Sequence, residues 1–196
     1  MAEKMKEEQI GNKSKLSRLL PKKRWKKIAL IVFLAMIVLG SAFYGYMRVS
    51  INKDVASPVD ILNAEGTKKA LVVYQVGLSS GPKDASFDLA NGLALRGWRV
   101  EVTTASPEAP RDLSKYSLFA IIFPVYGAKP GEAATRYVTN LGDLHQIPTI
   151  IINCRLSNAI ESIMEEQVTS QNGTIYATLL AGATNLKEYG SQIAIS

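Results

Sequence analysis

Residues 28–47 read IALIVFLAMIVLGSAFYGYM, an apolar run without a charged side chain. At a rise of about 1.5 Å per residue, such a run as a helix covers the roughly 30 Å hydrocarbon core of a bilayer. A core helix of a soluble domain keeps a polar face, and this run has none. It reads as one transmembrane helix. Residues 48–67 are polar, without a sustained period, and are punctuated by Pro58 and Gly66. They read as a stalk.

From residue 68 the pattern changes to short apolar runs alternating with helically spaced ones. Residues 69–75 form a short apolar run and residues 118–123 are apolar throughout, both too short for helices, as expected of strands buried on both faces, and residues 148–153 read as a further strand. Residues 98–104 alternate, which predicts a strand with one half-exposed face, and residues 174–180 follow an Asn172-Gly173 turn as a fifth strand. Between them, Ala85, Leu89 and Leu93, with Ala90 and Ala94, recur at helical spacing, and Gly97 sits where a C′ glycine belongs. Ala134, Tyr137, Val138 and Leu141 mark a second helix. Ile160, Ile163, Met164 and Val168 mark a third, with Ser157 as its cap. The tail from Asn185 is weakly periodic, leaving a short last helix or none. Strand–helix alternation predicts an α/β domain, a three-layer doubly wound five-stranded parallel sheet preceded by the transmembrane helix. The organisation is a basic leader 1–27, the span 28–47, the stalk 48–67 and the domain 68–196.

Charge sharpens the membrane reading and removes another. The leader holds ten Lys or Arg against three Glu, whereas the remaining residues hold thirteen basic and fourteen acidic side chains. The basic pI therefore belongs to the leader, and the nearly neutral domain offers no basic stripe for nucleic acid. By the positive-inside bias, the leader stays in the cytoplasm and the C-terminal domain lies outside it, tethered to the cell membrane as a single-pass protein. Trp25, Tyr44 and Tyr46 suit the two interfaces. A cleaved signal peptide, cut near Gly40-Ser41-Ala42, is the rival reading, although the apolar run is longer than the usual signal core.

One cysteine, Cys154, and one histidine, His145, exclude an intramolecular disulfide, a CxxC pair and a Cys/His zinc site. His145 reads as a surface-loop residue, and no nucleophile–base pair supports a hydrolase. Ligands of open parallel sheets bind beyond the carboxyl ends of the strands, where strand order reverses. Three loops leave those ends. In the first, Gly77, Leu78, Ser79, Ser80 and Gly81 can wrap backbone N–H groups and hydroxyls around a phosphate ahead of a helix N-terminus, with Lys83 adding charge. It is neither a P-loop nor GxGxxG. The second, Pro124, Val125, Tyr126 and Gly127, offers an aromatic face for a planar ring. The third begins at Asn153 and Cys154, a thiol without an adjacent base.

The stretch ALVVYQVGLS at 70–79 resembles the opening strand and phosphate loop of flavodoxins. DLSKY at 112–116 and IIFPVYGAKP at 121–130 resemble their third strand and flavin-ring loop. The resemblance spans residues 68–182 and implies a flavodoxin-like fold. It also implies flavin mononucleotide (FMN), held by its phosphate in the first loop and by its ring between the other two. It implies electron transfer with a redox partner protein or a quinone, the lipid bilayer being met through residues 28–47. A flavin-free binding or structural module on the same fold is the alternative. Three positions depart from the family pattern: Pro82 where a Thr is usual, Phe123 where a small residue or Ser is commoner, and the loop after Asn153, which lacks the glycine-rich acidic pattern.

Overall fold

The computed structural model describes residues 22–127, 129–154 and 161–194, the side chains of residues 22, 23, 52 and 161 excepted. Two compact units divide the chain, residues 1–48 and 49–196. Helix α1, Lys22–Asn52, contains the apolar run and continues past it into residues assigned from sequence to the stalk. Its stretch Arg24–Ile51 is long and apolar enough to cross a membrane, and the most apolar part of it, with mean hydropathy 2.4, has no buried side chain. Ser41, the one serine in the apolar run, turns its hydroxyl back onto the carbonyl of Ile37 at 2.7 Å. That bond satisfies the hydroxyl within the helix itself.

In the second unit the elements are β1 (Asp60–Leu62), β2 (Lys68–Tyr74), α2 (Gly81–Leu95), β3 (Trp98–Thr104), β4 (Leu118–Phe123) and the two-residue strands β5 (Val125–Tyr126) and β6 (Lys129–Pro130). They continue as α3 (Glu132–Thr139), β7 (Pro148–Asn153), α4 (Glu161–Ser170), β8 (Thr174–Leu180) and α5 (Leu186–Gln192). The main sheet has the order β1-β3-β2-β4-β7-β8. The five expected strands are all parallel, and β1 adds a short antiparallel edge beside β3. Chain order among the parallel strands is thus 2-1-3-4-5, with the reversal between β2 and β4. β5 and β6 form a separate small hairpin.

Alternate residues of each strand feed two cores. Leu71, Val73, Phe119, Ile121 and Ile151 meet α3 and α4 through Tyr137, Val138, Met164 and Val168. Ala70, Val72, Ala120, Ile122 and Ile150 meet α2 and α5 through Leu89, Leu93 and Leu186. Each fully buried Leu or Ile contributes roughly 1.5–3 kcal/mol of hydrophobic stabilisation. Helix α2 ends as its sequence predicts, with Gly97 at φ 83° beyond its last turn. Ile163 is the exception among the helix positions expected to face inward. It is exposed, while Met164 and Val168 are buried. Ser157 and Ile160 lie outside the described residues.

The weakly periodic tail does form a helix. Asn185 caps α5 by accepting from the Glu188 N–H, and α5 lies directly on α2. A Cβ on Gly92 would stand 2.2 Å from the Lys187 carbonyl oxygen, and one on Gly190 would stand 2.7 Å from that of Leu89. The helix seat is two glycines wide. Gly92→Val is expected to destabilise the protein by about 2 kcal/mol or more, measured by thermal or urea unfolding of the purified chain. An unchanged midpoint would mean that α2 and α5 do not meet at these glycines.

Candidate functional site

The register of the central strands builds the site. Tyr74 lies beside Ile122 and Phe123 beside Asn153, so β2, β4 and β7 end nearly level. The ladder then runs one step further. The Gln75 N–H donates to the Ile122 carbonyl, that of Cys154 to Phe123 and that of Ala181 to Asn153, at 2.9–3.0 Å. Three loops therefore depart from one edge, on either side of the switch between β2 and β4.

Loop 76–80 is open to solvent at Val76, Leu78, Ser79 and Ser80, with Gly77 half-buried. Ser80 is the N-cap of α2. Its carbonyl accepts from the Asp84 N–H, but its side chain makes no capping bond. Gly81 is the first residue of the helix. The Lys83 ammonium lies over the Phe87 ring, 5.9 Å from its centre, one turn further along α2. The second loop closes on the first. Pro124 and Val125 are buried, the Pro124 carbonyl accepts from the Gly131 N–H, and Gly127 turns the β5–β6 hairpin at φ 57°. Tyr126 reaches across, and its hydroxyl accepts from the Leu78 N–H at 3.0 Å. A Cβ on Gly77 would lie 3.3 Å from both that hydroxyl and Pro82 Cγ. The tyrosine is thus a bridge between the two loops.

In the third loop Asn153 is fully buried and Cys154 partly so. Burial pushes the Cys154 thiol up to about 11, so it stays protonated and non-nucleophilic at neutral pH. Residues 155–157 of this loop lie outside the described residues. His145 is exposed in its turn, near Asp143. Among the described residues, no three His, Cys, Asp or Glu side chains gather to hold a metal.

Gln75, which the sequence pattern treated as the end of a strand, organises the edge. It is 2% exposed. Its carbonyl oxygen accepts from the Ala134 N–H at the start of α3, and its amide donates to the Ile51 carbonyl. Gly131 is packed so closely on it that an added Cβ would fall 2.0 Å from Oε1. A polar residue closing an apolar run was the available signal.

Whether this edge suits an FMN phosphate is decided by its donors. Ser79 and Ser80 bring two exposed hydroxyls, and no backbone bond within the described residues engages the N–H groups of Gly77, Ser79 or Ser80. Against this, Pro82 brings no N–H, and that of Leu78 is given to Tyr126. Two missing donors, at about 1 kcal/mol each, weaken an anion's hold roughly thirtyfold. The adjoining cavity of about 300 Å³ is lined by Asp84, Asp88 and Cys154, and its two carboxylates repel a dianion. The loop fits a phosphate with a reduced set of donors.

The thiol's burial has a measurable consequence. Alkylation of Cys154 by iodoacetamide at pH 8 is expected to run on the order of a hundredfold slower than that of an unperturbed cysteine of pKa about 8.5. Mass spectrometry of the time course checks this, and labelling at the free-thiol rate would contradict a buried, neutral sulfur.

No family model matches the chain, and no curated protein matches it. Solved structures do. A flavodoxin from the domain Archaea superposes with a TM-score of 0.52 at 17% identity, covering 64% of this chain and 96% of that one. The two-electron reduced flavodoxin of Megasphaera elsdenii gives 0.53 at 14% identity, covering 62% and 96%. A short-chain flavodoxin associated with a PDU bacterial microcompartment gives 0.53 at 12% identity, covering 63% and 96%. With the parallel strand order 2-1-3-4-5, these superpositions establish that the chain has the flavodoxin-like fold.

Proposed function

We propose that the chain is a membrane-anchored flavodoxin-like protein that binds FMN at the carboxyl edge of its sheet. It would pass electrons to or from a partner at the membrane, a protein or a quinone. The observation that carries this reading is the convergence of loops 76–80 and 124–127 at the strand-order switch, with hydroxyls and amides in the first and an aromatic bridge in the second. When bound, the flavin supplies one- or two-electron chemistry. The chain's residues do the rest. Ser79, Ser80 and the amides of Gly77 and Gly81 hold the phosphate, Lys83 swings from Phe87 to add charge, and Tyr126 borders the ring. Pro124, Val125, Gly127, Asn153 and Cys154 form the remaining wall. Helix α1 is the anchor. The basic leader ahead of it supports a cytoplasmic leader and an extracytoplasmic domain.

The second reading is a flavin-free module on the same fold, and one observation favours it. The Tyr126 hydroxyl already takes the Leu78 amide, beside a proline that has no N–H to give.

Titration of the detergent-purified full chain with FMN separates the readings. Saturable uptake at micromolar flavin supports the first, and a colourless protein at high micromolar flavin leaves the second. On the first reading, Ser79→Ala is expected to weaken FMN by roughly fivefold, one hydrogen bond's worth. Tyr126→Ala should weaken it through loss of the ring. Tyr126→Phe should tighten it several-fold, because the Leu78 N–H is released while the aromatic face is kept. A Tyr126→Phe protein that binds more weakly would contradict the role given to the hydroxyl.

A further inference from the structure

Beyond the carboxyl end of β3, one strand out from the switch, lies a cavity of about 50 Å³. It is separate from loops 76–80 and 124–127. The residues that line it include Ser106, Arg111, Arg136, Tyr137, Asn140 and Asp54. Ser106 is 5% exposed, and among the described residues its hydroxyl has no hydrogen-bond partner. A buried hydroxyl left unmatched is unfavourable, so its presence in a cavity wall points to a ligand that completes it.

The cations beside it indicate what kind. The Arg111 guanidinium spends one contact, at 3.4 Å, on the carbonyl of Pro107 in its own loop, out of five N–H donors. Arg136 is held by Asp54 at 2.6 Å and by Glu132 at 3.7 Å. The Tyr137 hydroxyl is committed to the Pro110 carbonyl and serves as wall only. Two guanidiniums and a hydroxyl around a small space suit a tetrahedral or planar oxyanion. A single water needs roughly 10–15 Å³ by the same kind of measure, so the cavity holds an ion of phosphate size and excludes a nucleotide.

The geometry points to a second anion site, formed by Ser106, Arg111 and Arg136, that takes a small phosphate-type oxyanion in competition with the carboxylate of Asp54. Asp54 belongs to residues 53–59, which also fasten to β3 through the Ser57 N–H on Thr104 Oγ1 and the Thr103 hydroxyl on the Ser57 carbonyl. An oxyanion that takes Arg136 therefore removes one of the fastenings of this segment. The phosphate group can come from solution or from a lipid headgroup, and the chemistry recognised is the same.

The test uses the full chain in neutral detergent, titrated with inorganic phosphate at constant ionic strength and followed by its thermal midpoint. The expected result is saturable stabilisation, weakened at least tenfold by Arg111→Gln and strengthened several-fold by Asp54→Asn. A gain of affinity in the second variant cannot arise from misfolding. In a parallel arm, bilayer discs containing phosphatidic acid are compared with discs of phosphatidylcholine. Stabilisation by phosphatidic acid alone, lost in Arg111→Gln, assigns the headgroup as the source and supports the site. Phosphate and phosphatidic acid effects that are absent, or unchanged by Arg111→Gln, overturn it. So does a phosphate response that is abolished by Ser79→Ala and untouched by Arg111→Gln, since that ion would be sitting in the first loop.

Discussion

The level ending of β2, β4 and β7 is the constraint on which the rest of the domain depends. Tyr74 beside Ile122 and Phe123 beside Asn153 set the register, and a parallel ladder leaves no freedom to slide. A shift of one residue would turn every core side chain to the opposite face. Because Leu71 and Val73 serve one core and Ala70 and Val72 the other, the packing of both faces fixes where the loops emerge. The convergence of loops 76–80 and 124–127 is therefore a consequence of core packing, and the Tyr126–Leu78 bond then ties the two loops together.

That scaffold carries an edge with mixed properties. Hydroxyls and amides of the first loop face solvent, while Tyr126 and Pro82 close part of the same loop from within. The balance is small in energy, about two hydrogen bonds. A loop with this reduced set of donors would hold an anion more weakly than a full ring of amides does. Fold alone leaves the choice open, because one architecture hosts many functions. The chemistry of this edge is what distinguishes an electron carrier from a tethered binding module.

Much of this was legible from residue pattern. The parallel strands follow from short apolar runs, from the alternation at 98–104 and from the turn before 174–180, and the helix faces at Ala85, Leu89 and Leu93 and at Tyr137 and Val138 follow from their spacing. Gly97 marks a helix end on its own. What escaped the pattern depends on contacts distant in sequence. Strand β1 is three residues long, with two of them exposed, so it carries no period. It exists because β3 offers an unpaired edge. Met164 and Val168 are buried as their spacing predicts, yet Ile163, placed on the same face, is exposed. The Tyr126–Leu78 bond joins residues 48 apart, and the Ser106 cavity needs side chains from three segments. A weakly periodic tail became a helix because Gly92 and Gly190 let two backbones touch. Composition near residue 190 gives no hint of that partner.

A comparison of FMN with riboflavin on the full chain isolates the hold of the first loop on a phosphate. The two ligands share the ring and differ in the phosphate. Saturable binding of FMN at least tenfold tighter than that of riboflavin is expected. Equal affinity for the two, or no saturable binding of either, would contradict it.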